Sequence, residues 1–281
     1  MSEFWKRTLS GAVYVAVVVG TILWNEAAFD ALAAMLAVLA VREFNRLTHP
    51  HCWMDVLSET AALLLGLSVA LYDAASPAVA LYVALVYGVL ILIGLLAELW
   101  DKDGNPIANW GHLLTGQVMI ALPFALMDIL NHLSPWLMLA VFVLIWVNDS
   151  GAYCVGVLTA KKMPGGNHKM FPRVSPKKSW EGLFGGLAFT IGAAFILNRF
   201  GWFDTITKPG FELLIAGAFA FVVSAFGTLG DLMESLFKRT IGVKDSGKFL
   251  PGHGGVLDRF DSILLAAPMA LLFVLMMISI H

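Results

Sequence analysis

Apolar residues come in nine long blocks, at about 8–24, 27–41, 58–75, 77–97, 113–130, 135–158, 179–198, 211–229 and 260–280. A helix that crosses a bilayer needs about 20 mostly apolar residues. The pattern therefore predicts an all-α, polytopic membrane protein of about nine transmembrane helices. The second block is short, and only Asn25 and Glu26 interrupt the passage from the first, so the two predict a tight hairpin. Lys6 and Arg7 before the first block resemble the start of a signal peptide. No small-x-small cleavage site precedes a polar region, so this block is read as a retained anchor.

The segments between the blocks set an orientation. Alternate segments carry 16 of the 18 Lys and Arg residues, and the segments on the other side carry 2. Basic residues gather on the cytoplasmic side, which predicts a cytoplasmic N-terminus and an external C-terminus. Loops 159–179 and 230–259 hold 11 of the 18, both on the cytoplasmic side. The chain reads as an N-terminal transmembrane scaffold, 1–130, followed by a catalytic transmembrane region, 131–281, that carries both loops. Gly88, Gly94 and the Ala-rich run 31–40 suit close helix packing in lipid.

Composition agrees. The chain has 281 residues, 59% of them hydrophobic and 14% charged, with a mean hydropathy of +0.79. Soluble chains carry roughly 25% charged residues, and disordered chains are poor in apolar ones. A net charge of −2 gives no bulk attraction to nucleic acid. Two cysteines, Cys52 and Cys154, exclude a disulfide scaffold and read as packed thiols.

Charge within a span is costly and marks candidate chemistry. Asp149 lies about 21 Å along a helix from Pro135, at 1.5 Å per residue. Apolar sequence flanks it, and Asn148 and Ser150 adjoin it. Residues 165–182 gather Lys169, Arg173, Lys177 and Lys178 before a helix start at which Ser179 is the expected N-cap. Basic side chains at a helix start suit an anion, and a basic loop also suits anionic headgroups. The block from Phe211 continues as a helix through Asp231, Glu234, Ser235 and Lys238, and roughly 45 Å of helix exceeds the hydrocarbon core of about 30 Å. Asp231, Ser235 and Lys238 share one face.

Residues 244–261 follow, with Gly247, Gly252, Gly254 and Gly255 in a loop that can bring backbone N–H groups to an anion. Asp258 and Asp261 are spaced i, i+3 at the start of the last block, with Arg259 between them. On one helix face they suit a hard divalent cation with phosphates. A glycine turn with one Asp at a helix start would explain only part of this set.

Residues 235–261, SLFKRTIGVKDSGKFLPGHGGVLDRFD, resemble the signature of the phosphatidate cytidylyltransferases, also called CDP-diacylglycerol synthases. Its fixed positions fall on Ser235, Lys238, Arg239, Lys244, Asp245, His253, Gly254, Gly255, Asp258, Arg259 and Asp261. An Asn-Asp-Ser stretch at 148–150, SPKKSWEG at 175–182, and Asp231 four residues before Ser235 are similar to the family's upstream elements. The resemblance covers about residues 145–265.

The resemblance implies that CTP and phosphatidic acid give CDP-diacylglycerol and pyrophosphate with Mg²⁺. For some members it implies a second, monovalent cation such as K⁺, and commonly a homodimer. A bacterial inner-membrane enzyme with its active site facing the cytoplasm is the expectation. Asp231, Asp258 and Asp261 are the expected cation ligands, with Asp231, Asp258, Lys178 and Arg259 in the catalytic set. Lys177, Lys178, Lys238, Arg239, Lys244, His253 and Arg259 would hold phosphates. Asn148, Asp149, Ser175, Ser235, Asp245, Gly254 and Gly255 would complete the substrate site. His253 reads as a phosphate ligand in preference to a general base, since the second pKa of a phosphate monoester is about 6. A CTP-dependent polyprenol kinase would release CDP instead of pyrophosphate. A transporter would place its polar residues at the midplane.

Overall fold

The computed structural model describes residues 3–48, 52–102, 104–247 and 254–280. In chain order the elements are α1 (Glu3–Trp24), α2 (Glu26–Thr48), α3 (Cys52–Ala74), α4 (Pro77–Ala97), α5 (Pro106–Leu114), a π-helical segment (Thr115–Ala121), α6 (Leu122–Leu133), α7 (Pro135–Lys162), β1 (Lys169–Phe171), β2 (Ser175–Ser179), α8 (Trp180–Arg199), α9 (Glu212–Thr240), α10 (Leu257–Phe260) and α11 (Ile263–Ser279). Seven described helices are long and apolar enough to cross a membrane, and the protein is a polytopic helical membrane protein. The other two expected spans are α1, whose apolar part Thr8–Trp24 is shorter, and α2, which carries Glu26, Asp30, Arg42, Glu43 and Arg46.

Three helices start by one local device. Ser76, Asn105 and Ser134 each precede a proline, and their side chains accept the N–H groups of Val79, Ala108 and Leu137. Proline fixes the first helical φ and removes an N–H that would lack a partner, while the cap satisfies another.

The chain divides into two compact units: Met1–His132 with Asp245–Phe260, and Leu133–Lys244 with Asp261–His281. In the first, only Asn25 separates α1 from α2, and its Oδ1 accepts the N–H of Ala27 at 2.8 Å. α2 extends seven residues past its expected end at 41, because Phe44 and Asn45 are buried and hold its last turns in the core. Ala33, Ala34, Ala37 and Ala40 are buried. A Cβ on Gly66 of α3 would sit 2.8 Å from the Cβ of Ala34, so small residues set the α2–α3 contact. Gly94 likewise backs onto Leu57 and Leu113, whereas Gly88 faces open space and does not serve the packing expected of it. Gln117, in the π-helical segment, donates to the carbonyl and hydroxyl of Ser58 at 2.9 and 3.0 Å.

In the second unit, glycines on α8 press against α7: a Cβ on Gly186 would lie 2.8 Å from the Asn148 carbonyl, and one on Gly182 would lie 3.0 Å from that of Ala152. α9 runs for 29 residues, as its polar extension predicts. Among the described residues the departure from an all-helical chain is the antiparallel hairpin β1–β2, with Lys169 opposite Ser179 and Phe171 opposite Ser175. Its turn closes through the Val174 N–H to the Phe171 carbonyl at 3.0 Å.

Two expectations need correction. Asp258 and Asp261 do not lie on one uninterrupted helix, because α10 ends at Phe260 and α11 begins at Ile263. Cys154 is exposed and not packed: it lies on the open face of α7 with Tyr153, Val157 and Leu158, which are exposed too.

Candidate functional site

In the second unit, α7, the hairpin, α8 and α9 enclose a cavity of about 500 Å³. Its wall includes Asn148, Asp149, Lys169, Lys177, Lys178 and Asp231. Three cations and two carboxylates thus face one space.

The hairpin is positioned from both ends. Ser179 caps α8 as expected, accepting the Gly182 N–H at 3.2 Å. Asn167 donates to the Gly156 carbonyl at 2.6 Å and to Ser179 Oγ at 3.2 Å. Glu181 does not close a capping box. Its Oε1 accepts the backbone N–H of His168 at 3.1 Å and lies 2.6 Å from the imidazole Nδ1. Arg239 of α9 reaches the Val174 carbonyl at 3.4 Å and that of Val243 at 3.3 Å. Fastened this way, β2 points Lys177 and Lys178 at the cavity.

Lys178 Nζ lies 2.8 Å from Asp231 Oδ2. Ser235 donates to the other Asp231 oxygen at 3.3 Å, one turn along the shared face. Lys238 pairs instead with Glu234 at 2.6 Å, and both are buried. On α7, Asn148 accepts from Ser224 at 2.6 Å and donates to Thr228 Oγ1 at 3.4 Å. These bonds fix the helical turn that presents Asp149 beside Asn148.

Asp261 lies where the charges of Asp231, Glu234 and Asp149 act on it. A Cβ on Gly230 would meet the Asp261 carbonyl at 2.6 Å, so only a glycine lets α9 approach this turn. Carboxylates so grouped repel one another unless a cation is shared. Their oxygens are the donors a hard divalent ion takes, so Asp231 and Asp261, with the charge of Asp149 also acting there, are of the chemical type that could hold one.

The glycine loop is organised within the first unit, around a residue that the sequence reading missed. Glu43 of α2 accepts the N–H groups of Val256 and Leu257 at 2.9 and 3.0 Å and the hydroxyl of Ser246 at 3.1 Å. Asp258 Oδ2 accepts the N–H groups of Ser246 and Gly255, each at 2.8 Å. Gly254 has φ +88, open to glycine, and a Cβ on Gly255 would collide with Glu43 Oε2 and Ser246 Oγ. Lys244, Asp245 and Arg259 are exposed and Ser175 is half-buried. His253 lies outside the described residues. Glu43 carried no signal of its own, standing between Arg42 and Arg46 in an ordinary charged stretch. Asn167, Ser224 and Thr228 were missed for a similar reason, being single polar residues without a motif.

A protein-family model described as "Cytidylyltransferase family" matches residues 5–277. The chain is similar to proteins named phosphatidate cytidylyltransferase. One from Haemophilus influenzae is 46% identical over 133 residues, 47% of this chain and 43% of the relative. Those from Staphylococcus epidermidis and Staphylococcus aureus (strain COL) are 44% and 41% identical over 128 residues, 46% of this chain and 45% of each relative. The chain therefore spans about half the length of the relatives it matches.

Proposed function

The chain belongs to the cytidylyltransferase family, and we propose that it is a phosphatidate cytidylyltransferase, forming CDP-diacylglycerol and pyrophosphate from CTP and phosphatidic acid. The observation that carries this reading is the cavity, in which Lys169, Lys177 and Lys178 face Asp149 and Asp231. Both substrates are anionic and one is a lipid, so a polar, cationic space built on bilayer helices suits both.

A phosphatidate oxygen attacks the α-phosphorus of CTP, and the bond to the β-phosphate bridging oxygen breaks in line. No enzyme nucleophile is needed, and catalysis consists of positioning and charge neutralisation. Lys177 and Lys178 hold phosphate oxygens from β2, and Lys169 does so from β1. Arg239 keeps that hairpin in place. Ser235 orients the Asp231 carboxylate, and Asn148 keeps Asp149 at the cavity wall. When bound, Mg²⁺ held by Asp231 and Asp261 supplies neutralisation of phosphate charge. For Asp258, Arg259, Lys244, Asp245 and His253 the substrate or metal roles rest on the signature. The monovalent cation and the homodimer rest on the resemblance alone.

We assign catalysis to residues 131–281 and scaffolding to 1–130. The nine-span topology, with basic loops and cavity on the cytoplasmic side of a bacterial inner membrane, belongs to the same proposal. The test is incubation of detergent-solubilised protein with CTP labelled at the α-phosphate, phosphatidic acid and Mg²⁺. Labelled lipid and free pyrophosphate are expected. Unlabelled lipid with release of CDP would mark a kinase, and no turnover by folded, monodisperse protein would overturn the reading.

A further inference from the structure

One cluster in the first unit has no place in the reaction above. Asp30 of α2 and Asp128 and His132 of α6 each bring one ligand atom within 4.8 Å of the others. His132 Nε2 lies 3.0 Å from Asp30 Oδ1, and Nδ1 lies 3.1 Å from Asp73 Oδ2 of α3. We infer that Asp30, Asp128 and His132 form a binding site for a divalent transition-metal ion, with Asp73 holding the imidazole from behind.

Asp128 is the independent observation. Its side chain is 0% exposed, no N–H or hydroxyl of a described residue donates to either oxygen, and its one polar neighbour by hydrogen bond is a second carboxyl, that of Asp30, with which it can share a proton but not a positive charge. A buried carboxylate without a donor is costly unless a cation compensates it. Protonating His132 would not supply the compensation, because both of its N–H groups are already directed at Asp30 and Asp73. Three carboxylates would then surround one positive charge. A divalent ion beside a neutral imidazole balances Asp30 and Asp128 and gives Asp128 a partner.

The geometry agrees with the charge. Asp128 and His132 are spaced i, i+4, which puts both on one helix face, and α2 supplies the third ligand. An imidazole that ligates through one nitrogen commonly donates its other N–H to a carboxylate, and Asp73 stands there. Two oxygens and one imidazole nitrogen suit zinc and its neighbours better than magnesium. Asp73 is largely exposed, so the site has an aqueous approach.

The site is separate from the glycine loop. Asp30 and Glu43 lie on the same helix, 13 residues apart, about 20 Å at 1.5 Å per residue. Segments 24–27, 75–77 and 130–135, which adjoin the cluster, carry no Lys or Arg, whereas Arg42 and Arg46 lie at the far end of α2. Within this unit the site thus lies at the end of α2 away from Arg42 and Arg46.

The test uses full-length protein in detergent, stripped with chelator and dialysed against Zn²⁺ in excess Mg²⁺, with bound zinc measured by elemental analysis. One equivalent is expected in wild type and in Asp231→Asn, and none in Asp128→Asn or His132→Gln. Asp73→Asn is expected to weaken binding roughly 10–100-fold in a competition titration with a chromophoric chelator. Should the buried substitutions prevent folding, Co²⁺ loaded into wild type provides the readout. Visible absorption of low-coordinate cobalt that Zn²⁺ displaces supports the site. Wild type that retains no zinc, zinc unaffected by Asp73→Asn and both buried variants, or zinc lost with Asp231→Asn would each overturn it.

Discussion

Lys178 Nζ lies 2.8 Å from Asp231 Oδ2 and 3.3 Å from the Thr228 carbonyl, so the hairpin's cation and the α9 carboxylate form one wall of the cavity. In the proposed reaction the pair would set the positive charge for a triphosphate beside a carboxylate for the cation.

Removing that charge tests the pairing. Lys178→Ala is expected to lower kcat/KM by about 100-fold or more, the range for loss of one electrostatic donor in a water-poor site. Lys178→Arg keeps the charge and is expected to retain part of the activity. Lys161→Ala, outside the cavity lining, is expected to fall within twofold of wild type. Turnover of α-labelled CTP compares the three.

Asp231→Asn removes a carboxylate charge and leaves the shape. Activity is expected to collapse at any Mg²⁺ concentration, whereas Ser235→Ala, which only frees the carboxylate to rotate, is expected to shift the Mg²⁺ requirement upward with a modest loss of kcat. Chelation of Mg²⁺ from wild type is expected to abolish turnover and restoration to recover it. A Mg²⁺ titration of each protein measures these outcomes.

Glu43 is expected to behave as a positioning residue. Glu43→Ala leaves two backbone N–H groups and a hydroxyl without their acceptor, at about 1–3 kcal/mol for each buried unsatisfied group. Hydrogen exchange should quicken at residues 246 and 254–257 in Glu43→Ala and stay near wild type in α8. Unchanged exchange there would refute the anchoring role.

Glycine replacements separate close approach from open space. Gly255→Ala pushes a methyl group into Glu43 and Ser246 and is expected to cost more than about 1 kcal/mol through overpacking. Gly88→Ala meets nothing within 4 Å and is expected to leave thermal stability unchanged or slightly raised, since alanine favours the helix by about 1 kcal/mol over glycine. Thermal unfolding in detergent ranks the two.

Topology has its own check. With Cys52 and Cys154 replaced by Ser, Arg173→Cys is expected to react with a membrane-impermeant maleimide only from the cytoplasmic side. Lys208→Cys is expected to react only from outside. Labelling of both from one side would overturn the nine-span arrangement.

Much of the fold was legible because lipid imposes a simple rule: nine apolar blocks in the sequence correspond to described helices, and the polar extension of α9 followed from its length alone. The hairpin was not, since residues 169–179 are basic, carry two prolines and show no alternation; their strands are held by Asn167, Glu181 and Arg239 from elsewhere. In the site, Asn148, Asp149 and Asp231 stood out as charge or amide beside apolar sequence and Lys177 and Lys178 as a basic pair at a helix start, and the structure brings them to one cavity. The break between Asp258 and Asp261 was invisible, because helix periodicity does not report a two-residue turn. Glu43 was invisible too, because its role depends on Ser246 and Val256, some 200 residues away.

That last distance bears on modularity. The loop bearing the signature folds against a carboxylate from the second helix, so a fragment starting at residue 133 would carry the motif without its support. Shuffling or truncating the chain by halves therefore yields no autonomous catalytic cassette, and any transplant of the signature into another scaffold must bring an acidic partner equivalent to Glu43.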